Sequence, residues 1–94
     1  MENGEFDVLI EVGQSYLLNR QYEQAIAKFS EAQRLNPHEP DAYYYLGLAF
    51  EGFGKYAEAI ANYKKTIELD GSYANAEIRI NALADKSKPE KETG

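Results

Sequence analysis

The chain has no cysteine or tryptophan, a single histidine and a single methionine among its 94 residues. The absence of cysteine excludes a disulfide framework and a thiol nucleophile, and it suits a reducing compartment. The first six residues, Met-Glu-Asn-Gly-Glu-Phe, contain neither the basic segment nor the apolar segment of a signal peptide, and no apolar stretch is long enough to cross a bilayer. We therefore expect a soluble, untargeted, cytoplasmic protein.

The sequence also lacks the groups of residues that enzymes and metal sites need. His38 falls in the turn-like run from Asn36 to Pro40, where an exposed loop residue is the simplest interpretation. Zinc needs several His or Cys ligands and a calcium loop needs alternating acids around a Gly, and neither spacing is present. Gly52 and Gly54 are not followed by the pair of a basic residue and a Ser or Thr that a phosphate loop needs. The sequence predicts no enzyme, no metal site and no cofactor.

Basic residues are few relative to acidic ones. Ten Lys and Arg stand against 16 Asp and Glu, which gives a net charge of −6. Nucleic acid needs a basic face for its phosphates, and the eight tyrosines, which could stack on bases, have no cationic groove beside them. We expect no binding to nucleic acid or membranes. A mildly basic or apolar peptide is a better partner.

What the chain does contain is an internal repeat with a period of 34 residues. The matched pairs are Gly13 and Gly47, Tyr22 and Tyr56, Ala25 and Ala59, Ile26 and Ile60, Ala27 and Ala61, and Leu35 and Leu69. A period of this length, carried by small and aromatic residues, is typical of stacked helical hairpins in which each unit buries its apolar face against the next. The repeat predicts an all-α fold, and the length leaves room for one domain.

Within the second unit, apolar residues follow helical spacing in two stripes, which begin at Tyr43 and Tyr56. Gly47 lies inside the first stripe, as Gly13 does in the first unit. Glycine costs a helix about 1 kcal/mol relative to alanine, so we expect the backbone of the partner helix to approach closely at both positions.

The turn inside each hairpin needs a residue in the left-handed conformation. Gly54 supplies it in the second unit. The first unit has Asn19 and Arg20 at this place, and we expect Asn19 to take the left-handed conformation.

With these residues in place, the chain resembles the tetratricopeptide repeat, whose pattern is aromatic-x2-Leu-Gly-x2-Tyr, then Ala-x3-Phe, then Pro. The pattern appears as Leu9, Val12, Gly13, Tyr16, Ala25, Phe29 and Pro37, and again as Tyr43, Leu46, Gly47, Phe50, Ala59 and Tyr63. The departures are Leu9 for Trp, Arg20 for the turn Gly, Thr66 for a small Ala and Gly71 for the Pro. The resemblance covers residues 6 to 86 and implies a right-handed α-solenoid of antiparallel hairpins, with two repeats and a capping helix.

Five helices are expected, at 6–19, 22–35, 40–53, 56–69 and 74–86. The corresponding organisation is a disordered N-terminus (1–5), repeat 1 (6–39), repeat 2 (40–73), the capping helix (74–86) and a disordered charged tail (87–94). Ser72 can cap the last helix. We expect Ile78, Ala82 and Leu83 to cover the second hairpin, and the residues expected to face water are Asn75, Glu77, Arg79, Asn81 and Asp85.

The resemblance further implies that the first helix of each hairpin lines a concave groove that binds a peptide. The groove positions would be Asp7, Ile10, Gln14, Leu17 and Leu18 in repeat 1, Asp41, Tyr44, Leu48, Glu51 and Gly52 in repeat 2, and Asn75, Ile78, Arg79 and Ala82 in the capping helix. Such a groove would be apolar with an acidic edge. For Tyr44 and Leu48, packing against neighbouring helices is an equally good interpretation.

One use of the family can be tested at individual positions. Chaperone-binding members hold a C-terminal carboxylate with a clamp of Lys, Asn and Arg. The corresponding residues here are Ile10, Gln14, Tyr45, Asn75 and Arg79. Only Arg79 fits, and the loss of both lysines removes most of the charge-assisted hydrogen bonds. The sequence therefore argues against binding of acidic chaperone tails.

The leading functional hypothesis is a non-enzymatic protein–protein interaction module that binds a peptide segment through the groove, with a preference for apolar anchors and basic flanks. The alternative is a structural role, in which exposed Tyr and Leu meet a second copy or the chain forms part of a longer scaffold of repeats. Because a fold does not fix a function, the peptide-binding hypothesis depends on the resemblance and on the composition of the groove.

Overall fold

The structure is a computed structural model that describes residues 4–87. This range contains five α-helices and no strand: α1 (Gly4–Leu18), α2 (Tyr22–Leu35), α3 (Pro40–Gly52), α4 (Tyr56–Leu69) and α5 (Ala74–Ser87). All five predicted helices are present. Gly4 and Glu5, expected to be disordered, form the start of α1, and Ser87 is the last residue of α5. The rest of the expected disorder falls on residues 1–3 and 88–94, which lie outside the described range.

The helices stack in the order of the sequence. Each helix packs against the next one along the chain, and α1 also contacts α3. Helices α1 and α2 form one hairpin, α3 and α4 form the second, and α5 packs on α4. This sequential stacking of an all-helical chain is the architecture that the repeat predicted.

The starts of α2, α3 and α4 depend little on side-chain caps. The residues before them, Gln21, Glu39 and Lys55, make no side-chain cap hydrogen bond. Pro40 in the first turn of α3 favours initiation, because its missing N–H would have no helical partner there. The helices are 13 to 15 residues long, a length that is marginal for an isolated helix in water. Tertiary packing must therefore stabilise them.

The two hairpin turns share one backbone conformation, and the expectation for Asn19 is wrong. The left-handed residues are Arg20, with a φ of 62°, and Gly54, with a φ of 85°. The N–H after each of them donates to a carbonyl five residues back, from Gln21 to Tyr16 (2.8 Å) and from Lys55 to Phe50 (2.9 Å). Because this hydrogen-bond pattern fixes which position is left-handed, Arg20 takes it at a cost of roughly 1–2 kcal/mol that glycine avoids.

The core consists of two clusters that are related by the repeat. The first core cluster is Ala25, Phe29, Leu46 and Ala49. The second core cluster is Ala59, Tyr63, Ala76 and Leu83. Each cluster joins the second helix of a hairpin to the first helix of the next unit, so the stack is held together by contacts between units as well as within them.

The glycines inside the helical stripes make room for aromatic rings. A Cβ on Gly13 would lie less than 3.0 Å from three ring atoms of Phe29, and a Cβ on Gly47 would lie equally close to the ring of Tyr63. Such a separation is a steric clash. A close approach is present at both positions, but the group that approaches is an aromatic side chain of the second helix and not its backbone.

The buried face of α5 differs from the expected one. Ala76 and Leu83 are buried and Ile80 packs beside them, whereas Ile78 is 59% exposed and Ala82 is exposed. Two apolar stripes run along this helix, and contact with α4 buries the one that contains Ala76, Ile80 and Leu83, so only Leu83 of the three expected residues is buried. Arg79 was expected to face water and is half-buried instead.

Ser72 also has a different role from the expected helix cap. Its hydroxyl donates to the carboxylate of Asp70 at 2.7 Å, and its backbone N–H donates to the same oxygen at 3.1 Å. These hydrogen bonds hold the pKa of Asp70 below its ordinary value. Ser72 therefore closes the turn that follows α4.

Candidate functional site

The predicted groove residues all lie on α1, α3 and α5, the first helix of each hairpin and the capping helix. The half-buried ones are Ile10, Gln14, Leu17, Asp41, Tyr44, Leu48, Glu51 and Arg79. The exposed ones are Asp7, Asn75 and Ile78, together with Leu18, Gly52 and Ala82. A half-buried side chain packs against its neighbours and still presents part of its surface to a ligand.

Tyr44 lies at the centre of a group of aromatic rings. Its ring centroid is 5.0 Å from that of Tyr73, 5.6 Å from that of Tyr45 and 5.7 Å from that of Tyr63. Tyr44 and Leu48 both pack against the second core cluster. Tilted and edge-on ring pairs of this kind are favourable and hold the rings in place. The aromatic part of this surface is therefore well ordered before any ligand arrives.

Glu51 accepts hydrogen bonds from two other helices. Tyr63 donates its hydroxyl to Glu51 Oε1 at 2.8 Å, and the Arg79 guanidinium donates Nε to the same oxygen at 3.1 Å and Nη2 to the other oxygen. This forked pair fits a guanidinium well and neutralises the carboxylate. Sequence reasoning placed Glu51 and Arg79 in the same groove but missed that they bind each other.

Asp41 has a similar partner at the other end of α3. Tyr73, in the loop before α5, donates its hydroxyl to Asp41 Oδ1 at 2.8 Å. This hydrogen bond leaves the negative charge of Asp41 uncompensated by any cation in the described contacts. Asp7 occupies the equivalent position on α1, 34 residues earlier, and it is exposed. An acidic edge of the predicted groove would therefore consist of Asp7 and Asp41 more than of Glu51.

An open cleft lies at the opposite end of α1 and α3. It has a volume of about 350 Å³, and its lining residues are Leu17, Tyr22, Leu48, Glu51, Gly52, Tyr56 and Lys86. The Lys86 ammonium lies 5.7 Å from the centre of the Tyr56 ring, within the range of a cation–π contact. The cleft thus combines apolar and aromatic walls with one ammonium group.

Sequence reasoning missed three residues of this cleft: Tyr22, Tyr56 and Lys86. Tyr22 and Tyr56 are a matched pair of the repeat, and both begin the second helix of a hairpin. Their recurrence was an available signal for a shared surface feature. Lys86 carried no such signal, because only the packing of α5 brings it beside Tyr56.

The tyrosine hydroxyls in this network resist ionisation. Burial raises the pKa of Tyr63 far above its ordinary value, and the hydrogen bond to Glu51 raises it further. Burial and the hydrogen bond to Asp41 raise the pKa of Tyr73 in the same way. A tyrosinate would lose its solvation and would face a carboxylate in place of donating a proton to it.

These shifts predict loss of stability at alkaline pH. Unfolded tyrosines lose their protons near pH 10, whereas Tyr63 and Tyr73 keep theirs in the folded state. Their contribution to the free energy of unfolding is therefore complete below pH 10. It declines as the pH rises above 10, because only the unfolded state then releases these protons.

Urea titrations at intervals from pH 7 to 11.5 test this expectation. The urea concentration at the midpoint of unfolding should decrease as the pH rises above 10. This decrease should be smaller in a Tyr63→Phe, Tyr73→Phe double variant, which has no hydroxyl to ionise at either position. If the urea midpoint decreases equally with pH in the double variant and in the natural chain, these hydroxyls do not control the loss of stability at alkaline pH.

Among residues 4–87, no three His, Asp or Glu side chains lie together as ligands for a metal ion. Within that range, no helix has both the length and the apolar character needed to cross a bilayer.

The comparisons with known proteins agree with the fold. Residues 12–74 match the family model of the tetratricopeptide repeat. The match runs from within α1 to the first residue of α5 and so includes all of α2, α3 and α4. No curated protein matches the chain.

Proposed function

Because residues 12–74 are 63 of its 94 residues, the protein belongs to the tetratricopeptide repeat family, and we propose that it binds a peptide segment of a partner protein through the groove formed by α1, α3 and α5. Tetratricopeptide repeats generally mediate protein–protein interactions. The proposal adds a face, a kind of peptide and the residues in contact. It assigns no catalytic role to the chain.

The observation that carries the proposal is the cleft between Leu17 and Leu48. Its volume of about 350 Å³ can hold a large side chain of a peptide, and its walls include Tyr22 and Tyr56. Tyr44 continues the apolar surface along α3 from Leu48 towards Asp41, at one-turn spacing. We assign the cleft to the main apolar anchor of the peptide.

The charges suggest how such a peptide would lie. Arg79 neutralises Glu51, so the cleft end of the groove carries the ammonium of Lys86 without a strong opposing charge in the described contacts. Asp7 and Asp41 lie at the other end of α1 and α3. A peptide with Lys or Arg on one side of its anchor would place that residue near Asp7 and Asp41. Acidic chaperone tails would meet the wrong charge at this edge.

Binding is tested by titrating peptides selected from a random library, with Leu48→Ala and Tyr44→Ala as the groove variants. Each should weaken binding by about 1 kcal/mol or more, roughly fivefold in Kd, because Leu48→Ala removes contact area in the cleft and Tyr44→Ala removes it on the adjoining apolar surface. Affinity should be micromolar, since a short groove must also order a flexible peptide.

Ile60→Ala is the matched control for packing. Ile60 lies on α4 and packs against the second core cluster, as Leu48 does, but it does not line the cleft. It should lower the melting temperature and leave the Kd of the folded protein unchanged, and His38→Ala in the exposed turn should change neither. If Ile60→Ala and Leu48→Ala weaken binding equally, or if the selected peptides are acidic, the groove assignment is wrong.

A further inference from the structure

The outward face of α1 is apolar and uncovered. Val8 is 54% exposed and Val12 is 36% exposed. Their equivalents in the second repeat, 34 positions later, are Ala42 and Leu46, which are 0% and 4% exposed. The same helical face is therefore buried between units in α3 and open to solvent in α1.

The other end of the stack is built differently. The positions of α5 equivalent to the buried Tyr43 and Gly47 are Glu77 and Asn81, and both are exposed. Polar residues at these positions disfavour the packing of a further helix, because burying them would cost free energy. The sequence thus closes the α5 end with polar residues and keeps valines at the α1 end.

The second repeat shows what kind of surface fits the face of α1. The face of α3 that contains Leu46 and Ala49 packs on α2, through Ala25 and Phe29 in the first core cluster. The complementary surface for Val8 and Val12 is therefore the second helix of a hairpin placed before α1, in the same register. The corresponding surface of a second copy, on α4, is already covered by α5.

The charges on α1 further restrict which partner could pack on this face. Arg79 on α5 pairs with Glu51 on the first helix of the preceding unit. The residue of α1 equivalent to Arg79 is Glu11, two 34-residue periods earlier, and it is exposed. In a hairpin that packs before α1, the residue equivalent to Glu51 would lie opposite Glu11. Because α1 carries Glu5, Asp7 and Glu11 and no Lys or Arg, pairing of α1 with α1 of a second copy would bring like charges together.

We propose that the outward face of α1 is a docking surface for a helical hairpin of a partner protein, whose first helix carries Lys or Arg opposite Glu11. This surface adjoins the groove, because Glu11 is equivalent to Arg79, but Val8 and Val12 are not groove positions and do not line the cleft. Val8 and Val12 supply the buried contact, and Glu11 supplies selectivity for a basic residue.

The probe is a copy of residues 40–73 joined directly before Phe6, which keeps the 34-residue register. Covalent attachment supplies the hairpin at high local concentration. One version of the added hairpin keeps Glu51, and the other has Glu51→Arg. We expect the Arg version to unfold at a midpoint about 4 °C or more above the Glu version. Glu11→Arg should reverse that order, and Glu23→Arg on the exposed side of α2 should leave it unchanged.

Two further measurements complete the test. Val12→Ala should lower the melting temperature more in the extended chain than in the natural chain, because only the added hairpin buries Val12. The natural chain should remain a monomer by light scattering at all concentrations. The proposal is overturned if Glu11→Arg leaves the order of the two versions unchanged, if Val12→Ala has equal effects in both chains, or if the natural chain forms a dimer that Val12→Lys dissociates.

Discussion

Removal of residues 74–94, which deletes α5, is expected to abolish cooperative unfolding of the remaining chain and to cause aggregation. Ala76 and Leu83 form half of the second core cluster, and Ile80 packs beside them. Without α5, the fully buried ring of Tyr63 loses its cover on one side, together with the guanidinium that pairs with Glu51. An exposed apolar face of this kind on a small helical stack promotes association.

Single substitutions on α5 separate the packing effect from the loss of chain length. Leu83→Asp should unfold the protein or nearly so, because it buries a carboxylate among apolar side chains. Ile78→Asp is the matched control, since Ile78 is 59% exposed and its substitution should leave the melting temperature almost unchanged. Thermal unfolding followed by circular dichroism and light scattering measures both. If Ile78→Asp is the more damaging substitution, α5 packs on α4 through the other stripe.

The second large effect is expected for Tyr63→Ala, which should lower the free energy of unfolding by about 3–5 kcal/mol. The ring is fully buried, fills the space over Gly47 and donates to Glu51. Total stability of a domain is about 5–15 kcal/mol, so this variant should lose a large part of its stability. Tyr63→Phe keeps the ring and loses only the hydrogen bond to a charged acceptor, at a cost of about 1.5–3 kcal/mol.

The contact between Tyr63 and Gly47 predicts strong coupling between the two positions. Gly47→Ala should destabilise the natural chain, because its Cβ would overlap the ring. In the Tyr63→Ala background the same substitution should stabilise by up to about 1 kcal/mol, through helix propensity and a smaller cavity. Gly4→Ala is the control, since no atom lies within 4 Å of its added Cβ. Urea denaturation of the four chains gives the coupling energy, and additive effects would contradict the packing of Tyr63 on Gly47.

The sequence was sufficient to predict the helices, because the same physical pattern occurs twice. Gly13 and Gly47 mark the closest contacts, and the turn at Gly54 marks where one helix ends. In the first hairpin, residue propensity favours Asn19 as the left-handed residue, but the hydrogen-bond register of the turn decides the position. The carbonyl of Tyr16 accepts from the N–H of Gln21, and this bond places Arg20 at the left-handed position.

The contacts within the site were less predictable. Glu51 and Arg79 lie 28 residues apart, and nothing in a 34-residue period pairs them. On α5, Ile78 and Ala76 belong to alternative stripes of similar apolar character, and only the surface of α4 decides between them. Placement of a residue on α1, α3 or α5 could thus be predicted from the sequence, while the partners of its side chain depended on packing between units.

The most direct measurement of peptide binding is a nuclear magnetic resonance titration of the labelled protein with a peptide from the library, whose sequence has an apolar anchor and a basic flank. We expect the largest amide shifts at Leu17, Tyr44 and Leu48 on α1 and α3, and at Lys86, which lines the cleft. Amides on the far side of α2 and α4, such as those of Lys28 and Lys64, should not move. Largest shifts on α2 and α4, or shifts confined to the outward face of α1 around Val8 and Val12, would contradict binding in the groove.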